Sequence, residues 1–174
     1  MISYAILSDG SCEDLTYLSE SGLPKLSTKD SLLVNQFQMA LSKIGVSFYH
    51  EFCKSESGKT LYGFYSPVKN AMTLCRGSNK DSKEYIDTLA HESWRTVQDC
   101  IDGLENKEIT ALSELSHQVF IAIVGSPSYL NDYLKVLRSY PVEQSRTDLE
   151  ALYMARRPDV VLKGLKACAA NNFK

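Results

Sequence analysis

The period of the apolar residues changes twice along this chain, and that change limits the class of fold it can reach. Between Thr28 and Ile44 the residues Leu33, Phe37, Ala40, Leu41 and Ile44 recur at the spacing of one helix face. Thr28 is the expected N-cap, and Gly45 stands where such a helix stops. From residue 46 onward the pattern shortens. VSFYHEF (46–52), TLYGFYSP (60–67) and AMTLCR (71–76) are rich in aromatic and β-branched residues, and KSESGK and SPVKN separate them with turn chemistry. A small antiparallel sheet is expected, its aromatic side chains Phe48, Tyr49, Phe52, Tyr62, Phe64 and Tyr65 packing within it. Beyond GSNKDS the helical period returns and persists. Ile86, Leu89, Ala90, Trp94, Val97 and Ile101 stripe one helix, and Ile109, Leu112, Val119, Phe120 and Ile123 a second. Pro127, Pro141 and Pro158 then punctuate helices near 128–138, 145–156 and 158–170.

A helix, a small sheet and a run of helices make an α+β fold. Residues 1–28, rich in Ser, Gly and acidic groups, read as an irregular lead-in with a short strand at SYAIL. Residues 29–174 read as one domain, for which a 44% hydrophobic content supplies a sufficient core.

Several function classes fall away. Nineteen basic residues against twenty-one acidic ones give a formal charge of -2, and no Lys/Arg stripe forms a phosphate-neutralising face, so no nucleic acid partner is expected. There is no apolar run of about 18 residues, and MISYAILSDGSC lacks a basic n-region, so the chain reads as soluble and cytoplasmic, with no membrane partner. Five cysteines (Cys12, Cys53, Cys75, Cys100, Cys168) show no C-x-x-C pairing, and free, mostly buried thiols are expected. A bridge such as Cys100 to Cys168 would call for an oxidising compartment. The segment SESGKT (55–60) ends like a phosphate loop but has no leading glycine, and reads as a turn.

The stretch DTLAHESWRTVQDC (87–100) carries the candidate chemistry. His91 and Glu92 open the zinc-hydrolase pattern H-E-x-x-H, in which two imidazoles one helical turn apart hold the metal and the glutamate takes a proton from metal-bound water. Arg95 stands where the second histidine belongs. At 100° per residue His91, Glu92 and Arg95 share one polar face, with Trp94 on the apolar side as a core anchor. A guanidinium has no lone pair for a metal and does not deprotonate.

The order of elements, with the blocks GFYSPVKNAMTLC, DTLAHESWRTVQDC and YPVEQSRTDLEALYMARRPDVVLKGLKAC, resembles compact gluzincin-like (zincin-fold) metallopeptidase domains, and more narrowly the small zinc-peptidase proteins of cyanobacteria and their viruses. The corresponding helix of that family reads approximately H-E-x-x-H-x-x-Q. The resemblance spans residues 30 to 170. It implies a zincin-like domain with His91 as first metal ligand, Glu92 as general base and Glu150 as downstream ligand, Asp148 being the alternative because TDLEA sends its two carboxylates to different sides of a helix. It also implies that an edge strand above the active helix can bind peptide backbone by strand addition.

Zinc is the cofactor of the family, and with Arg95 in the second-ligand position weak or absent zinc is expected here. The guanidinium is expected to pair with Glu150 or Glu92 instead. The function expected is that of a degenerate metallopeptidase-like domain, without peptidase activity, retained as a binding or regulatory module for a protein or peptide partner. The alternatives are an active zinc peptidase, with Glu92 as base and a substitute ligand from His50 or His117, and an unrelated α+β interaction domain.

Overall fold

The computed structural model describes residues 22–54, 60–104, 109–112, 118–119, 121–122, 125–139 and 142–171. Its elements are helix α1 (Thr28–Lys43), strands β1 (Ser47–Glu51), β2 (Gly63–Ser66) and β3 (Ala71–Cys75), and helices α2 (Ser82–Asp102), α3 (Pro127–Ser139), α4 (Val142–Ala155) and α5 (Pro158–Asn171). The α+β class follows from this order. Ser27, not Thr28, caps α1: its Oγ accepts the Asp30 N–H at 3.1 Å. Gly45, at φ +82°, turns the chain out of the helix. The strand expected at SYAIL and the turn at 55–59 lie outside the described residues. Leu23 and Leu26, placed in the lead-in by sequence, contribute to the core cluster.

The sheet is mixed rather than antiparallel, in the order β1-β3-β2. A single 3-10 turn, Pro67–Lys69, joins β2 to β3 and makes that pair antiparallel. β1 pairs with the other edge of β3 in parallel, from Ser47↔Ala71 to Glu51↔Cys75. Burial explains this order. AMTLC is buried at every position but its first, which suits a central strand, whereas β1 alternates between half-buried and exposed as an edge strand with one solvated face does. The register sets Tyr49, Thr73 and Phe64 in one outward row. The aromatic residues therefore divide: Tyr65 is buried and Phe48 packs on the core, but Tyr49, Phe52, Tyr62 and Phe64 are exposed.

Helix α2 runs through the middle of the domain, against α1, α4, α5 and the sheet. Asp81 caps it by accepting the Glu84 N–H at 2.9 Å, while Glu84 reaches back to the Lys80 N–H at 2.8 Å. Of its apolar stripe Leu89, Ala90, Trp94 and Val97 are buried, Ile86 is half-buried and Ile101 is exposed, while Glu92, Ser93, Thr96, Gln98 and Asp99 are buried as well. The polar face is a second packing face. At Gly164 of α5 an added Cβ would come within 3.2 Å of Val97 and 3.3 Å of Trp94, so that glycine sets how closely α5 lies on α2.

Two expectations are corrected. Residues 109–112 are not helical: the Leu112 N–H, which a helix would direct to its own carbonyls, donates instead to the Glu150 carboxylate at 2.9 Å. Residues 113–117, 120 and 123–124 of that expected helix lie outside the described residues. Four of the cysteines are paired rather than free: Cys53–Cys75 joins the chain after β1 to the end of β3, and Cys100–Cys168 joins α2 to α5.

Candidate functional site

A cleft of about 410 Å³ opens between the chain entering β2, the first half of α2 and the end of α4. Helices α2 and α4 flank it antiparallel. Beyond the cleft wall, in the α2–α4 interface, Gln98 Nε2 donates to Thr147 O at 3.2 Å and to Glu150 Oε2 at 2.9 Å. One turn outward Arg95 meets Asp148 at 2.7 Å. His91 and Glu92 follow in the cleft wall, and Lys83 and Arg156 stand at its far end.

The facing wall is Thr60, Leu61, Tyr62 and Gly63. The Cys75 N–H donates to the Tyr62 carbonyl at 2.9 Å, so the alternation of antiparallel pairing turns the N–H and C=O of Gly63 and Tyr65 away from β3. The outward Tyr65 N–H faces the Glu92 carboxylate and favours its charged form. The outward groups of Gly63 border the cleft. Gly63 also lets β2 approach α2: a Cβ there would lie 2.9 Å from both Thr88 Cγ2 and Leu74 Cδ2. Asn79 fixes the same corner. Its Nδ2 donates to the carbonyls of Tyr62 and Cys75, and its Oδ1 accepts the Thr88 hydroxyl at 2.8 Å.

Burial dominates the electrostatics. It raises Glu92 to about 7, working against Arg95 and the Tyr65 N–H, which favour the carboxylate; Asp148 adds to the rise. Burial, then the Arg95 charge, lowers His91 to about 3, so its imidazole is neutral. Burial likewise raises Asp148, against the pull of Arg95. Behind this group the Tyr65 hydroxyl lies 2.7 Å from Asp99 Oδ2 and 2.9 Å from Asn70 Oδ1, and burial followed by the Asp99 hydrogen bond pushes its pKa up.

A pH experiment follows from Glu92. Its folded pKa lies above the value of about 4.3 expected in the unfolded chain, so it contributes stability at low pH that is lost as the pH rises to about 7. The difference in thermal stability between Glu92→Gln and the parent should therefore shift in favour of the variant from pH 5 to pH 8. Parallel profiles would show that Glu92 titrates normally. His91 and His50 tilt both profiles the other way, since their lowered folded values remove stability as the pH falls below about 6.5.

The structure brings His91, Glu92 and Arg95 together as the sequence suggested, and it brings α4 to them. The carboxylate that arrives is Asp148, not Glu150. Arg95 pairs with Asp148 instead of the expected Glu150 or Glu92, while Glu150, fully buried, serves Gln98 and the Leu112 N–H. His50 Nε2 lies 2.8 Å from the Tyr85 hydroxyl and does not line the cleft. His117 lies outside the described residues. Asp99, Asn79 and the Gly63 edge went unnoticed in the sequence, and only Gly63, a glycine inside a strand pattern, left a signal there.

These residues do not fit a zinc ion. Arg95 sets a permanent cation between His91 and Asp148, and among the described residues no three His, Cys, Asp or Glu side chains converge on one point. No family model, curated protein or solved structure matches the chain.

Among the described residues no helix is long and apolar enough to cross a membrane.

Proposed function

We propose that this chain is a degenerate metallopeptidase-like domain that binds extended peptide in the β2–α2 cleft and does not hydrolyse it. The Arg95–Asp148 ion pair carries the reading. It joins α2 to α4 beside His91 and Glu92, where the resemblance calls for a metal to join the same two helices. The outward backbone groups of Gly63 supply the edge onto which a peptide strand can add.

Elemental analysis of the parent and of Arg95→His, exchanged into the same trace-zinc buffer, tests it. The substitution puts a second imidazole one turn from His91 and opposite Asp148, and the variant should hold about one zinc where the parent holds little. Zinc in both proteins would mean a substitute ligand and would reopen the hydrolytic reading. Zinc in neither would reduce HESWR to an ordinary helix segment.

A further inference from the structure

The bridge Cys53–Cys75 closes a loop of the chain that contains the whole wall of the cleft opposite α2. Thr60, Leu61 and Tyr62 precede β2 and belong to no strand or helix. Their anchor is Cys75. Its N–H donates to the Tyr62 carbonyl at 2.9 Å, and its own carbonyl accepts Asn79 Nδ2 at 3.3 Å, which also donates to Tyr62 O at 3.1 Å. Through Asn79 Oδ1 the same corner reaches the Thr88 hydroxyl on α2 at 2.8 Å. Cys75 is thus tied covalently to the chain leaving β1 and by hydrogen bonds to the two sides of the cleft, directly to Tyr62 and through Asn79 to Thr88.

The two bridges are not held alike. A disulfide resists an external thiol to the extent that the fold keeps its two sulfurs together when one of them is attacked. Cys100–Cys168 ties α2 to α5, two helices packed closely at Gly164, and Cys168 is buried. Cys53 lies beyond the end of β1, half-buried, with Glu51, Phe52 and Lys54 exposed around it. Cys75, 1% exposed, is shielded. A small thiolate therefore attacks Cys53 Sγ. The S–S bond breaks, and Cys75 leaves as a thiolate that takes up a proton. A second thiolate then attacks the first on the mixed disulfide and frees Cys53 as a thiol, so that two small thiols are oxidised to their disulfide as the bridge is reduced. We propose that Cys53–Cys75 is a redox clasp on the cleft: a small thiol opens it in the folded protein while Cys100–Cys168 stays closed, and its opening releases the Thr60–Tyr62 wall from Cys75.

The clasp does not depend on what the cleft binds, and its test needs no ligand. The full chain is equilibrated in graded mixtures of reduced and oxidised glutathione. Differential alkylation with mass spectrometry then identifies which cysteines are free, and NMR follows amide exchange in the same samples. Cys53 and Cys75 should become alkylated together at thiol levels where Cys100 and Cys168 remain paired. In that state the Cys75 amide, which loses the Tyr62 carbonyl, should exchange faster by about tenfold or more, a modest share of what closing a loop of this length supplies. The Thr96 amide, in the buried middle of α2, should keep its rate. Oxidised glutathione should restore slow exchange at Cys75. Opening of Cys100–Cys168 first, or of both bridges together with unfolding, would overturn the proposal. So would selective opening that leaves the Cys75 amide protected, or free thiols at Cys53 and Cys75 before any reductant is added.

Discussion

Arg95→Ala should cost about 3–5 kcal/mol of folding stability, because it leaves the Asp148 carboxylate, 3% exposed, without its 2.7 Å partner inside the α2–α4 interface. Burial already raises Asp148, and Arg95 is the charge that opposes the rise. Without it Asp148 escapes the penalty by keeping a proton at low pH. The loss should therefore be smaller at pH 5 than at pH 8, since a carboxyl whose folded pKa is raised gives up stability as the pH rises through that value. Replacing both partners, Arg95→Met with Asp148→Leu, should recover most of the loss, because two apolar side chains of similar volume leave no stranded charge. Chemical denaturation of Arg95→Met, Asp148→Leu and the double variant closes the cycle. A near-neutral Arg95→Ala, within about 0.5 kcal/mol of the parent, would mean a solvated arginine and would remove the main support for Arg95 standing in for a metal.

The same ion pair shows where sequence reasoning stops. Periodicity located α1 and α2, whose apolar residues recur every three or four positions, proline punctuation placed α3, α4 and α5, and aromatic and β-branched content placed β1, β2 and β3. It could not order the strands. That β3 sits centrally depends on the hydrophobic demand of AMTLC from both faces, which a short apolar run does not distinguish from other buried segments. Nor could it choose between Asp148 and Glu150. The two residues lie about 200° apart on α4, and which one faces Arg95 depends on the rotation of that helix. The outcome is fixed by Glu150 taking Gln98 and the Leu112 N–H on its own side. Burial of the polar face of α2 was hidden for a related reason. Ser93, Thr96, Gln98 and Asp99 are polar, and their spacing carries no sign that packing buries them.

The cysteines were misread because pairing is a property of tertiary distance, and spacing along the chain carries almost none of it. Cys100 and Cys168 are 68 residues apart in sequence but 6.1 Å apart at Cα, brought together where α5 lies along α2. A bridge closing a loop of that length should add about 4 kcal/mol by restricting the unfolded chain, and Cys53–Cys75, closing 22 residues, about 3 kcal/mol. Reduction should therefore lower the thermal midpoint sharply, with the double variant Cys100→Ser/Cys168→Ser reproducing the larger part. The thiol count is the direct check. Of the five cysteines, only one should react with a thiol reagent in denaturant before reduction, and all five after it. Five reactive thiols in unreduced protein that keeps its thermal midpoint would mean the pairs are contacts and not bonds. With one reactive thiol, the chain must mature where thiols are oxidised, and the cytoplasmic expectation gives way.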